Sequence, residues 1–213
     1  MHQPEIQQNL EEALLDEKVI DALRDGTDIE NCHFYGEEMP DIAGRMLEFS
    51  GCVFEKCTIG EIDVERMVFV DCIFMKCDLS QCNMRKSTLQ RVQFKECRMI
   101  GISFDQTTLM SVLFYECQMD YCNFSNAKAQ QMLMHRCAMK ENVFISFKWK
   151  DWEVQECKMP GCEFSDTSLK GMDVSTCEIS AWKVDFYALQ GMKVTGEQAL
   201  GFTALLGLKI TDA

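Results

Sequence analysis

Thirteen cysteines, three histidines and three tryptophans are the residues of this chain best equipped for chemistry. Thiolates can hold zinc, cycle between thiol and disulfide, or attack a substrate. Each role has a spacing requirement. A structural zinc site asks for Cys-x-x-Cys pairs, and no two cysteines here are closer than five residues. No histidine shares the cysteine positions. His2, His33 and His135 stand at an end or at places expected to face outward, with no carboxylate or nucleophile pattern around them, and His135 is expected simply to face solvent. Trp149, Trp152 and Trp182 fall at positions expected to point inward, where packing is the expected role. A phosphate-cradling glycine loop, His-Glu-x-x-His and Gly-x-Ser-x-Gly are all absent from the sequence. The expectation is therefore a protein that is not an enzyme, with no catalytic, cofactor-binding or metal-binding residues.

What the cysteines share is register. Cys32, Cys52, Cys57, Cys72, Cys77, Cys82, Cys97, Cys117, Cys122, Cys137, Cys157, Cys162 and Cys177 all stand two residues before a member of one five-residue series. That series already appears at Ile29 and Phe34 and, from Phe49, runs Phe54, Ile59, Val64, Phe69, Phe74, Leu79 and onward to Val194; the thirty members from Phe49 on are all apolar. At 47% apolar composition chance would give such a run on the order of once in 10¹⁰ tries, so the period is real.

A period of five suits neither an α-helix nor a simple strand. It suits a chain that turns a corner every five residues and points two of each five inward. The centre of each unit takes a large apolar side chain, and the position two before it takes a small or medium one. Intervening residues such as Asp63, Asp78, Asn83, Arg98, Lys128 and Lys148 should meet water. Four faces close a square coil of twenty residues. Read at that step, Cys57, Cys77, Cys97, Cys117, Cys137, Cys157 and Cys177 form one unbroken column. Phe54, Phe74, Phe94 and Phe114 form another, and Phe104, Phe124, Phe144 and Phe164 a third. Like side chains stack on like when parallel strands lie in register. The expected fold class is all-β: a right-handed quadrilateral parallel β-helix, with these phenylalanines as its core ladder.

The ends depart from the pattern, as a solenoid with exposed edges requires. Residues 1–27 read as an N-terminal acidic helix or cap, a helix or a helix plus a first partial coil, with Ile6, Leu10, Ala13, Leu14, Val19, Ala22 and Leu23 mostly at helical spacing from Glu5 and Gly26 at the stop. Residues 28–195 are the repeat, in which Gly44 is an imperfect centre. Residues 196–213 read as a C-terminal segment. Thr195 is its candidate N-cap, with Glu197 and Gln198 in the first turn. The helix is expected to run to about Leu206 and end at Gly207, with a short strand from Leu208 to Ile210. Leu200, Phe202, Leu205, Leu206, Leu208 and Ile210 exceed what a plug needs, and are expected to form a two-fold dimer interface.

Charge is unevenly placed. The net charge is −13; residues 1–48 carry 13 Asp/Glu against 3 Lys/Arg, while residues 49–194 carry 19 against 17. One wall, with Arg91, Lys128, Lys148, Lys150 and Lys170 against Asp71 and Asp151, is basic. The overall balance disfavours nucleic acid and anionic lipid as direct partners and suits a basic protein. No apolar run approaches 18 residues and the N-terminus lacks a secretory pattern. A cytoplasmic protein with free thiols and no membrane association is expected.

Units such as Cys77-Asp78-Leu79-Ser80-Gln81 and Cys122-Asn123-Phe124-Ser125-Asn126 resemble the A(D/N)LXX unit of the pentapeptide-repeat family, with Cys for Ala. A narrower resemblance is to Qnr-type proteins. It rests on Trp149-Lys150, on residues 167–173 (Thr-Ser-Leu-Lys-Gly-Met-Asp), on residues 189–199 (Leu-Gln-Gly-Met-Lys-Val-Thr-Gly-Glu-Gln-Ala) and on residues 204–211 (Ala-Leu-Leu-Gly-Leu-Lys-Ile-Thr). That resemblance implies a homodimer joined at the C-terminal ends. It also implies binding to the type II topoisomerases, DNA gyrase and topoisomerase IV, protection of them from quinolones, and mimicry of duplex DNA by an acidic rod. The alternative is a scaffold or regulator that binds another basic protein through the acidic N-terminal end.

Overall fold

The computed structural model describes residues 1–42, 45–60, 63–208 and 211. Gly44 and Ile210, singled out above, lie outside the described residues. The chain winds into a parallel β-solenoid of about eight turns with little helix. Each residue of a wall pairs with the residue twenty positions on: Val68 with Thr88, Thr88 with Thr108, Thr108 with Lys128, Lys128 with Lys148. At about 4.7–4.9 Å per coil the rod is roughly 35–40 Å long.

The corners are made by backbone in the left-handed region. Among the described residues, 22 that are not glycine have φ between 50° and 65°. Each stands two residues after a centre of the repeat, as Lys76 follows Phe74 and Gln81 follows Leu79. Left-handed backbone costs an L-residue about 1–2 kcal/mol. One coil alone could not sustain that cost, and the fold exists only when neighbouring coils supply ladder bonds and a shared core.

The four walls differ. Two adjoining walls form continuous strands in the middle of the rod, Thr88–Lys95, Thr108–Tyr115, Lys128–His135 and Lys148–Gln155. Each bends at a left-handed residue, Arg91, Ser111, Gln131 or Asp151. The other two walls are held mostly by single bridges per coil, such as Asp78 to Arg98 and Asn83 to Ser103.

Inside, the aromatic columns do what register allows. Phe54, Phe74, Phe94 and Phe114 lie nearly parallel with centroids 4.6, 4.9 and 5.1 Å apart. Phe104, Phe124, Phe144 and Phe164 follow at 4.9, 5.0 and 5.1 Å. The columns meet edge to face, Phe104 against Phe114 at 6.0 Å. Both arrangements suit the ring quadrupole. All eight rings are fully buried.

At the N-terminus the helix is shorter than the spacing of apolar residues predicts. It spans Leu15–Asp25 (α1) and ends at Gly26, whose φ of 67° is the left-handed stop expected there. Before it, Glu11–Glu12 adds a short parallel strand to Cys32 and His33, covering the open edge of the first coil. Residues nearer the start run along the rod as a strap. The Glu5 N–H donates to Asp71 Oδ1 at 2.9 Å, and the Gln93 side chain donates to that of Gln3. Half-buried Ile6 and Leu10 therefore serve an extended segment, not a helix face.

At the C-terminus Thr195 caps a helix as expected, but the helix is only Gly196–Gly201 (α2) and a 3₁₀ turn, Thr203–Leu206, follows. Gly201 weakens the continuation, and Thr203 Oγ1 donates back to the Leu200 carbonyl at 2.7 Å.

The closed tube cannot collapse around a deleted ring. Replacing Phe124 with alanine is expected to cost about 3–5 kcal/mol, read as a lowered midpoint in urea unfolding. An unchanged midpoint would contradict the inward register.

Candidate protein-interaction site

The thirteen thiols are all free and buried. Their positions acquire a structural meaning from their hydrogen bonds. Cys77 Sγ donates to the Phe54 carbonyl at 3.3 Å, and Cys97, Cys117, Cys137 and Cys157 donate to Phe74, Phe94, Phe114 and Met134 at 3.4–3.5 Å. The acceptor is in each case a repeat centre 23 residues earlier. Where the inward position is not cysteine, other donors make the same bond. Ser87 reaches Val64, Thr107 reaches Met84 at 2.8 Å, Thr167 reaches Phe144 at 2.6 Å, and Trp182 Nε1 reaches Met159 at 2.6 Å. The site selects a donor that fits the wall, and the thiol is the compact choice. The replacement of Cys by Ser and Thr in register is the sequence signal that points to this role. Burial pushes the Cys82 and Cys162 thiols up to about 12, the opposite of what a nucleophile or metal ligand needs. Among the described residues no group of three or more His, Cys, Asp or Glu could hold a metal ion.

Two histidines are more engaged than their sequence surroundings suggest. His33 is not free of carboxylates: Nδ1 lies 2.8 Å from Glu12 and Nε2 3.6 Å from Glu55. It links the added edge strand to the second coil. His135, expected simply to face solvent, packs edge-on against Tyr115 at 5.4 Å with Nε2 3.4 Å from Glu156. Both partners stand about one coil away, so sequence neighbours could not reveal them.

Trp152 and Trp182 are buried, but Trp149 is only half-buried. Its coil already packs Phe144 and Phe147 against Trp152, at 5.0 and 5.1 Å, and the interior has no room for a second indole. Trp149 stands edge-on to Trp152 at 5.8 Å, and its Nε1–H donates to the Ser168 carbonyl at 2.8 Å.

With the interior packed, the outer surface is what can act. Several charges there are tied between adjacent coils. Arg91 grips Asp71 through two 2.6 Å bonds, Arg85 reaches Asp105 at 3.0 Å, and Arg136 bridges Glu116 and Glu156. Burial raises Asp71, but the Arg91 guanidinium and the Glu5 N–H outweigh it and hold the carboxyl below its ordinary value. The acidic end carries exposed Glu11, Glu12, Asp16, Glu17, Asp21 and Asp25. Its few cations are occupied locally, Lys18 by Glu11 and Arg24 by Asp21 and Asp25.

The opposite end is apolar. Leu200, Leu205 and Leu208 are 56%, 41% and 58% exposed, and Phe186 and Tyr187 of the last coil are exposed as well. Phe202 is half-buried and packs against Trp182 at 6.0 Å, extending the aromatic column out of the rod. The side chain of Leu206 lies outside the described residues. Gln198 fixes this segment in place. Its Oε1 accepts from the Thr195 N–H, its own N–H donates to Thr195 Oγ1, and its Nε2 donates to the Val174 and Cys177 carbonyls at 2.8 Å. The Thr-x-x-Gln spacing announces the capping box. Its second task, sealing the last coil, is not written in the spacing.

The fold and surface define a repeat solenoid of a generally non-catalytic kind, with a filled interior. The chain belongs to the pentapeptide repeat family. The pentapeptide repeat region model matches residues 47–124, 67–144 and 87–164, each match displaced by one coil. Among solved structures, a trypsin-treated form of QnrB1, a plasmid-mediated fluoroquinolone resistance protein, is 22% identical over 88% of this chain and 92% of that one, with a TM-score of 0.44. Full-length QnrB1 is 19% identical over 93% and 95%, with a TM-score of 0.35. HetL, a pentapeptide repeat protein involved in heterocyst differentiation regulation from the cyanobacterium Nostoc sp., is 8% identical over 83% and 93%, with a TM-score of 0.40. Comparison with curated proteins gives no match. No helix among the described residues is long and apolar enough to cross a membrane.

If the thiols are donors inside a packed wall, a thiol reagent should modify none of them in the native protein. Raising the pH from 7 to 9 should bring no burst of reaction, because the packed wall keeps the reagent away from all thirteen and burial holds Cys82 and Cys162 up at about 12. All thirteen should react on unfolding. Rapid native labelling of any one would contradict the assignment.

Proposed function

We propose that this chain is a Qnr-like, non-enzymatic protein of the cytoplasm that binds type II topoisomerase, DNA gyrase or topoisomerase IV, and protects it from quinolones. The observation that carries the reading is the resemblance of residues 189–199 and 204–211 to Qnr-type proteins. It falls where the chain leaves the repeat, so the repeat itself does not explain it. A pentapeptide solenoid alone does not choose among functions; this terminal segment is what narrows the choice.

The surface accords with that reading. Joining two copies at Leu200, Phe202, Leu205, Leu206, Leu208 and Ile210 would cover the exposed apolar end and leave an acidic cap at each tip of a rod roughly 70–80 Å long. A topoisomerase groove built for duplex DNA is lined with cations, and a stiff acidic rod can enter it as DNA does. Carboxylates in residues 1–48, with a net charge of −10, would carry most of that attraction. The same concentration of charge supports a second reading, a scaffold or regulator that binds a different basic protein through its acidic end.

Gyrase supercoiling in the presence of ciprofloxacin separates the two. Stepwise addition of the purified chain should restore supercoiling. No change at any concentration would overturn the topoisomerase reading and leave the second one. The dimer has its own test. Leu205→Glu with Leu208→Glu alters side chains already exposed in one copy, so it should give a folded monomer by sedimentation. A dimer that survives both charges would refute this interface.

A further inference from the structure

The wall around Trp149 gathers four lysines where other parts of the rod pair cations with carboxylates. Lys128 and Lys148 are direct neighbours in adjacent strands, and Lys150 lies beside Gln130 in the same ladder. Lys170 is one coil beyond Lys150. Like charges set opposite one another on a sheet destabilise it. At several other places the rod answers a cation with a carboxylate one coil away, as at Arg85 and Asp105, Arg98 and Asp78, or Lys158 and Glu178. Among the described residues none of these four exposed lysines has a carboxylate within ion-pairing distance. Two flank Trp149 on one side and two on the other, about 6.6 Å apart along the strand and about 4.8 Å apart between coils.

The indole at the centre is held and yet available. Its N–H is already occupied by the Ser168 carbonyl, which fixes the ring and leaves only apolar surface to offer. On one side the recess continues to Met1 and Met132. A rigid, half-exposed aromatic ringed by uncompensated cations presents an apolar anchor and a polar rim to one ligand.

We propose that this patch is an interaction surface, separate from both ends of the rod, for an acidic protein segment with a few carboxylates around one apolar side chain. The apolar side chain meets Trp149, and the carboxylates meet the lysines. The surroundings favour a peptide over a nucleic acid. Asp151 and Asp166 line the same recess, and Glu153 lies just beyond. A nucleic-acid strand carries a charge at every nucleotide and would run from the lysines onto these carboxylates. An acidic peptide can place its charges to avoid them.

The test is fluorescence anisotropy at low salt with a dye-labelled Glu-Glu-Phe-Glu-Glu peptide, run beside a dye-labelled single strand of thymidine nucleotides. The peptide should bind the full chain saturably. Lys148→Glu with Lys150→Glu should weaken it by about tenfold or more. Trp149→Leu, which places in this column the residue found at Leu109 and Leu169, should weaken it by several-fold. Lys183→Glu, on another wall, should leave it unchanged, and unaltered circular dichroism and melting certify each variant as folded. Absence of peptide binding at millimolar concentration would overturn the proposal. So would an equal loss with Lys183→Glu, or binding of the thymidine strand alone through the same lysines.

Discussion

Everything in this molecule depends on stacking one coil on the next at a fixed step of twenty residues. A strained corner every fifth residue is tolerable only because each coil receives its hydrogen bonds and its core from the coils on either side. Once that step is set, the cross-section is set too. Each wall has room for one large side chain and one small one. A phenylalanine in one coil favours a phenylalanine in the same place in the next, since the ring above must lie parallel to the ring below. The cysteine column obeys the same condition. Its thiols fit beneath the wall and donate to repeat-centre carbonyls of the preceding coil.

That constraint reassigns the residues that look most chemical. Thirteen cysteines in an unfamiliar chain invite a metal or a redox cycle. In the coil they are packing residues with a donor, interchangeable in role with Ser87, Thr107 and Thr167. Chemistry of recognition is displaced to the outside, where charge is free to vary because it does not touch the core. The ion pairs between coils decorate the surface, and each is worth little singly. Their absence around Trp149 is therefore cheap in stability and open to selection for binding.

The repeat was legible because two residue classes, the large apolar centres and the cysteines, mark the same period independently. The places that resisted reading are those where partners are a coil apart or where the chain leaves the period. Trp149 stands in register yet sits half outside, because Trp152 and Phe147 already fill that level. Glu12 and Glu55 reach His33 from 21 and 22 positions away. Ile6 and Leu10 have helical spacing, but an extended strap that touches the rod at intervals uses the same spacing. At the other end Thr195 and Gln198 announce a helix start clearly, whereas its early stop depends on one glycine and on Thr203 bonding back to the preceding turn.

Function on such a rod is a matter of which surfaces meet which partner, and the central claim is that a type II topoisomerase is that partner. Sedimentation velocity of the purified chain mixed with DNA gyrase, and separately with topoisomerase IV, tests it most directly. A saturable complex with at least one of them, weakened as salt rises and displaced by duplex DNA, is the expected result. Failure to form a complex with either enzyme at low salt would contradict the topoisomerase reading, leaving the solenoid intact and the acidic end in search of another basic protein.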